Sequence, residues 1–140
     1  DMEVEEEVDE KNRISVFFFL DTSGSCWGLK DRFFTAAMSL PPERFDIRLL
    51  CFDTTVQETT LESRKIYGGG GTSFRIIEDF IQKEVQAGLK YPEAVFIITD
   101  GYGDRVSPQN PKAWYWFLTS GGSKTYIHQD SNTFSLGDFE

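Results

Sequence analysis

Asp21-Thr22-Ser23-Gly24-Ser25 gathers one carboxylate and three hydroxyls directly after the apolar run Phe17-Phe18-Phe19-Leu20. Oxygen donors of this kind suit a hard divalent cation such as Mg²⁺, Mn²⁺ or Ca²⁺ better than zinc. Gly24 between the serines would let the backbone turn tightly and aim both hydroxyls at one point. Two more polar groups stand in comparable places. Asp100 closes the apolar run Ala94-Val95-Phe96-Ile97-Ile98-Thr99, and Thr72 follows the glycine run 68–71. A plainer role for Asp21 and Asp100 is that of turn or helix-cap acids. Against it, carboxylates at the ends of two buried strands sit where desolvation is costly. The glycine run lacks the following Gly-Lys-Ser/Thr of a phosphate-binding loop.

The hydrophobic pattern provides the elements that must position these groups. Ile14 to Leu20 and Ala94 to Thr99 are nearly continuous apolar runs, too short for helices, and read as strands buried on both faces. Phe45 to Phe52 alternates more and fits a strand nearer the edge, with a weaker polar strand expected within Thr59 to Tyr67. Leu29, Phe33, Ala36, Ala37 and Leu40 fall at helical spacing before Pro41-Pro42. A second helix is expected from about Phe74 to Ala87, apolar at Ile77, Phe80, Ile81 and Val85, with Gly88 as its C-cap. Beyond Asp100 the pattern predicts a loop with Pro108 and Pro111, a short aromatic helix around Ala113 to Leu118, and a last strand near Thr125 to His128. This alternation is that of an α/β protein: a doubly wound, mostly parallel sheet with helices on both faces. Ligands of such sheets bind outside the carboxyl ends of the strands, where connections diverge. Asp21, Ser23, Ser25, Thr72 and Asp100 are all expected at that edge.

A chain of 140 residues supports one hydrophobic core. Residues 1–10 hold seven acids and no base, so removing them takes the formal net charge from −9 to −2. The acidity therefore belongs to an N-terminal run, residues 1–12, expected to be a solvated linker or disordered extension of the domain at 13–140. No basic stripe gives the footprint of a nucleic-acid binder. No apolar stretch reaches the ~20 residues of a membrane span. Cys26 and Cys51 are too few for a disulfide framework, which favours a reducing, cytoplasmic setting. Cys26 reads as a small buried hydrophobe before it reads as a reactive thiol. The single histidine, His128, cannot build a zinc site alone.

Taken together, the motif residues resemble the von Willebrand factor A (VWA) family and its metal-ion-dependent adhesion site. The Asp-x-Ser-x-Ser pattern stands as Asp21-Thr22-Ser23-Gly24-Ser25, the isolated threonine as Thr72, and the final aspartate as Asp100 before Gly101. The resemblance covers about Ser15 to His128. It implies Mg²⁺ (or Mn²⁺) held by Ser23, Ser25 and Thr72, with Asp21 and Asp100 acting directly or through water. It also implies a non-enzymatic docking role, in which a Glu or Asp carboxylate of a partner protein completes the coordination. Asp53 and Asp104 are candidate supports behind these ligands. The short form, with Asp53-Thr54-Thr55 and its glycine run, is similar to compact bacterial and phage VWA-like domains, including those after a metallopeptidase-like region. Such proteins often work beside AAA+ ATPases of the MoxR or chelatase type. The small C-terminal part departs from larger members and puts a piston-like terminal helix in doubt.

Two other readings fit parts of the pattern. Asp21 at a strand end also resembles the nucleophile of haloacid-dehalogenase-like phosphohydrolases, but the second acid those enzymes place two residues later is Ser23 here. Loss of a general acid removes about 10²- to 10⁴-fold in rate. A structural subunit that keeps the motif without metal is the third reading. Trp114 to Phe117 reads as core packing, with a partner-contact patch as the alternative.

Overall fold

The computed structural model describes residues 12–139, so the expected N-terminal extension, residues 1–12, lies outside the described residues except for its last residue. Six strands form one sheet: β1 (Ile14–Asp21), β2 (Phe45–Phe52), β3 (Val56–Thr59), β4 (Ala94–Thr99), β5 (Trp114–Leu118) and β6 (Asn132–Ser135). Their spatial order is β3-β2-β1-β4-β5-β6, parallel throughout except for the antiparallel β2–β3 pair. Among the described residues two α-helices connect them, α1 (Lys30–Met38) and α2 (Arg75–Gln86). The molecule is thus α/β with a mostly parallel sheet, as the alternation of patterns predicts.

β1 lies at the centre because almost every one of its side chains is apolar, and a parallel strand is covered on both sides. Its residues alternate between two buried clusters. Phe17 and Phe19 pack with Ile77 and Ile81 of α2, whereas Val16, Phe18 and Leu20 pack with Phe33, Phe34 and Ala37 of α1. Each of these buried Val, Leu, Ile and Phe side chains contributes about 1.5–3 kcal/mol of transfer free energy. α2 ends as expected: Gly88 takes φ +105°, its N–H donates to the Val85 carbonyl, and that of Leu89 donates to Glu84. That pairing satisfies the helix's last carbonyls.

Three expectations fail beyond the first helix and strands. The aromatic run at Trp114 to Leu118 is strand β5, not a helix, with Trp114, Trp116 and Leu118 buried on one side and Tyr115 and Phe117 half-buried on the other. Aromatic side chains favour strands, and pairing with β4 in the register Val95↔Trp114 to Thr99↔Leu118 fixes it. Residues 125–128 form no strand; Tyr126 and Ile127 pack from a loop onto the α2 cluster, and the last strand is β6. The polar strand is Val56–Thr59, so of the expected span 59–67 only Thr59 belongs to it.

The connections from β1 to β2 and from β2 to β3 move one way along the sheet, and those from β3 to β4, β4 to β5 and β5 to β6 move the other. Val106 in the β4–β5 loop and Ile127 in the β5–β6 loop join the cluster that holds α2. Right-handed crossovers require that sidedness. The reversal falls between β1 and β4, whose carboxyl ends therefore flank a crevice.

Candidate metal centre

Parallel pairing of Leu20 with Ile98 brings the ends of β1 and β4 level, so Asp21 and Thr99 emerge side by side. Asp21 is fully buried. Its Oδ1 accepts the Ser23 backbone N–H at 2.9 Å, and its Oδ2 accepts the Thr99 hydroxyl at 2.5 Å. No ion pair to Asp21 occurs among the described residues, whose pairs are Arg48 with Glu58 and Glu84, and Arg64 with Asp31. Burial raises the Asp21 pKa above its usual carboxylate value, against the lowering pull of hydrogen bonds from Thr99 and Ser23. A cation in contact with this carboxylate would relieve that penalty.

The turn after Asp21 becomes a 3-10 segment, Gly24–Leu29. It carries Ser25 outward, where its hydroxyl donates to Asp100 Oδ2 at 2.7 Å and lies 3.5 Å from the Ser23 hydroxyl oxygen. Asp100 is half-buried, and its Oδ1 accepts the Tyr102 N–H. Asp21, Ser23, Ser25 and Asp100 therefore converge. Gly24 does not serve as expected: its φ is not left-handed, and a Cβ there would meet only ordinary contact with the Gly69 carbonyl at 3.9 Å. The turn is shaped instead by Asp21 accepting from Ser23 and by the buried Thr22.

Thr22 anchors the glycine run. Its hydroxyl lies 2.5 Å from the Tyr67 carbonyl and 3.1 Å from that of Phe52. The Gly69 N–H donates to the Thr22 carbonyl at 2.7 Å, and Gly24 N–H to Gly70. Gly68 must be glycine here, because it takes φ +144° and a Cβ would fall 2.1 Å from the Thr22 hydroxyl oxygen. The loop that carries Thr72 is thus tied to the Asp21 loop. Thr72 itself is half-buried and makes no hydrogen bond to the other described residues.

Asp53 and Asp104 hold backbone. Asp53 accepts from the N–H groups of Thr55 and Gly70. Its slight burial acts to raise its pKa, but these donors outweigh it and keep the carboxyl below its ordinary value. Asp104 accepts from the N–H groups of Phe74 and Arg75 at 2.5 and 3.3 Å, and from the Ser73 hydroxyl at 3.0 Å. It caps α2 from a distant loop, supplying the acceptor that Phe74 at the N-cap lacks.

Two contributors escaped the motif. Thr99 was visible as a polar residue ending an apolar strand, but its partner depends on β1 and β4 being neighbours. Cys26 is buried and faces the carboxylates: one ligand atom each from Asp21, Cys26 and Asp100 lies within 4.8 Å of the others. That cluster could hold a metal ion. Burial, and next the charge of Asp21, push the thiol pKa up to about 12.

Exposed aromatics frame this edge. Trp27, Tyr67 and Tyr102 are 47%, 38% and 56% exposed, and each lies within three residues of a group just described. The aromatic block at Trp114 to Phe117 is instead part of the sheet. No helix among the described residues is long and apolar enough to cross a membrane. No family model and no curated protein matches the chain.

Proposed function

We propose that the crevice between β1 and β4 is a divalent-cation site, and that the protein is a metal-dependent protein-interaction module rather than an enzyme. The observation that carries this reading is the fully buried Asp21, which has two hydrogen bonds but no cationic partner among the described residues. The donor set fits a hard cation: carboxylates of Asp21 and Asp100, and hydroxyls of Ser23 and Ser25. Thr72 is the further ligand that the VWA resemblance implies, and the hydrogen bonds that tie Gly69 and Gly70 of its loop to Thr22 and Gly24 support that reading. Mg²⁺ or Mn²⁺ bound here would supply positive charge able to attract a Glu or Asp carboxylate of a partner. Asp21 orients the turn, Ser25 fixes Asp100, and Asp53 and Asp104 keep the neighbouring loops in place.

The fuller VWA reading, a doubly wound sheet with helices on both faces, draws support from the separate clusters that α1 and α2 form with alternate residues of β1. Trp27, Tyr67 and Tyr102 suit the rim of a docking surface, since aromatic residues concentrate binding energy at interfaces. A MoxR- or chelatase-type AAA+ ATPase is the partner class that the resemblance suggests. Two free buried cysteines fit a reducing, cytoplasmic setting.

The phosphohydrolase alternative needs an accessible carboxylate oxygen for attack. It also needs a general acid two residues after the nucleophile, where Ser23 stands, which weighs against it. Calorimetric titration with Mg²⁺ and Mn²⁺ tests the proposal: the wild type should bind one ion, and Ser25→Ala and Asp100→Ala should bind at least about tenfold more weakly. Capture of protein partners should then depend on the metal and vanish with chelator. Metal-dependent phosphatase turnover abolished by Asp21→Asn would overturn the docking reading.

A further inference from the structure

We infer that Cys26 gives this same site a sulfur ligand, so that it takes a thiophilic divalent cation of the zinc and cadmium class more tightly than Mg²⁺. The inference rests on the proposed cation site and adds the identity of the ion it prefers. Cys26 Sγ, one oxygen of Asp21 and one of Asp100 lie mutually within 4.8 Å. Ligands of one tetrahedral zinc ion, at about 2.3 Å for sulfur and about 2.1 Å for oxygen, stand about 3.4–3.6 Å apart, so a pair at the 4.8 Å limit of this cluster closes by roughly 1.2–1.4 Å on binding.

Three observations separate this thiol from an ordinary buried cysteine. Cys51 offers the comparison within the same chain: it too is buried, but on β2, and it belongs to no such cluster. Asp21 brings a fully buried carboxylate, without a cationic partner among the described residues, to within 4.8 Å of the same thiol. Ser25 places its hydroxyl oxygen 3.8 Å from Cys26 Sγ and 2.7 Å from Asp100, so oxygen and sulfur donors face one space. Ser25 and Asp100 are the accessible members, which gives an ion a way in.

The binding step is an exchange without redox change. The S–H bond breaks, its electron pair forms the metal–sulfur bond, and the proton leaves to solvent. Sulfur ligation favours ions high in the Irving–Williams order and does little for Mg²⁺, whose preferred donors are oxygens.

Metal ions alone serve as probes. On adding Cd²⁺ to reduced wild-type protein, we expect a sulfur-to-metal charge-transfer band in the near ultraviolet, and competition should show Zn²⁺ binding at least about tenfold more tightly than Mg²⁺. Cys26→Ser should abolish the band and remove that advantage while still binding Mg²⁺; Cys51→Ala should leave both intact. If wild type binds Mg²⁺ but gives no band with Cd²⁺, or if the band persists in Cys26→Ser, the inference fails and the proposed function stands. Absence of binding by any of these ions overturns both. The wild-type band needs no variant, so a poorly folded Cys26→Ser leaves the test decisive.

Discussion

The Thr99 hydroxyl donates to Asp21 Oδ2 at 2.5 Å, joining the last residue of β4 to the last residue of β1 at the point where the sheet reverses its winding. The same hydroxyl oxygen accepts the Gly101 N–H at 3.1 Å and so shapes the turn that carries Asp100. One side chain thereby sets the spacing of both carboxylates.

Thr99→Val keeps the shape of the side chain and removes both bonds. Stability should fall by about 1–3 kcal/mol, as expected when buried groups lose a partner, read as a lower urea midpoint. Affinity for divalent cations should fall as well, because Asp21 Oδ2 loses its donor and the turn that carries Asp100 loses the Gly101 bond.

Asp21 gives the metal-free protein a pH dependence of definite sign. Its folded pKa is raised above 3.8, chiefly by burial. The folded state therefore takes up the proton before the unfolded state does, and stability rises as pH falls through the folded value. That contribution is fully present below the unfolded value and lost as pH rises through the folded one. With chelator present, Asp21→Asn should flatten this part of the melting-temperature profile and melt higher than wild type near neutral pH. With the cation added the order should reverse, since only wild type is stabilised by binding.

Asp104 separates support of a helix from support of a metal. Asp104→Ala should destabilise the fold by about 1 kcal/mol through loss of the α2 cap, visible in chemical denaturation. Cation affinity measured by calorimetry should stay near that of wild type, because Asp104 touches Ser73, Phe74 and Arg75 and no carboxylate of the site.

The glycine run should be sensitive at one position. Gly68→Ala forces a methyl group against the Thr22 hydroxyl in a left-handed backbone region, and should cost about 1–3 kcal/mol together with cation affinity. Gly88→Ala is the control: φ is +105° but nothing lies within 4 Å of the new carbon. It should weaken the fold by about 1 kcal/mol and leave binding unchanged.

What the sequence made legible follows from contrast. β1 and β4 are apolar on both faces and stop on a polar residue, so strand, burial and candidate ligand could be read together. β5 offered no such contrast, because Trp-Tyr-Trp-Phe-Leu is apolar at every position and carries neither period. β6 has one large apolar residue, Phe134, and owes its existence to pairing with β5. Tyr126 and Ile127 suggest a strand because they are apolar neighbours, but they pack half-buried against the core from a loop. In the site, Asp21, Ser23, Ser25 and Asp100 were legible as types of donor. The Thr99 bond and the approach of Cys26 were not, since both depend on which strands become neighbours.

Asp21 and Thr99 are 78 residues apart in the chain, and this separation has a consequence for the order in which the protein acquires its parts. Contacts between distant segments form slowly, and during synthesis β1 emerges long before the strand that completes its second edge. A nascent chain that ends before β4 has Asp21, both serines and the glycine run, yet lacks the neighbour that aligns them. The proposed cation site is thus assembled only when the centre of the sheet closes, so an ion bound there would report completed folding.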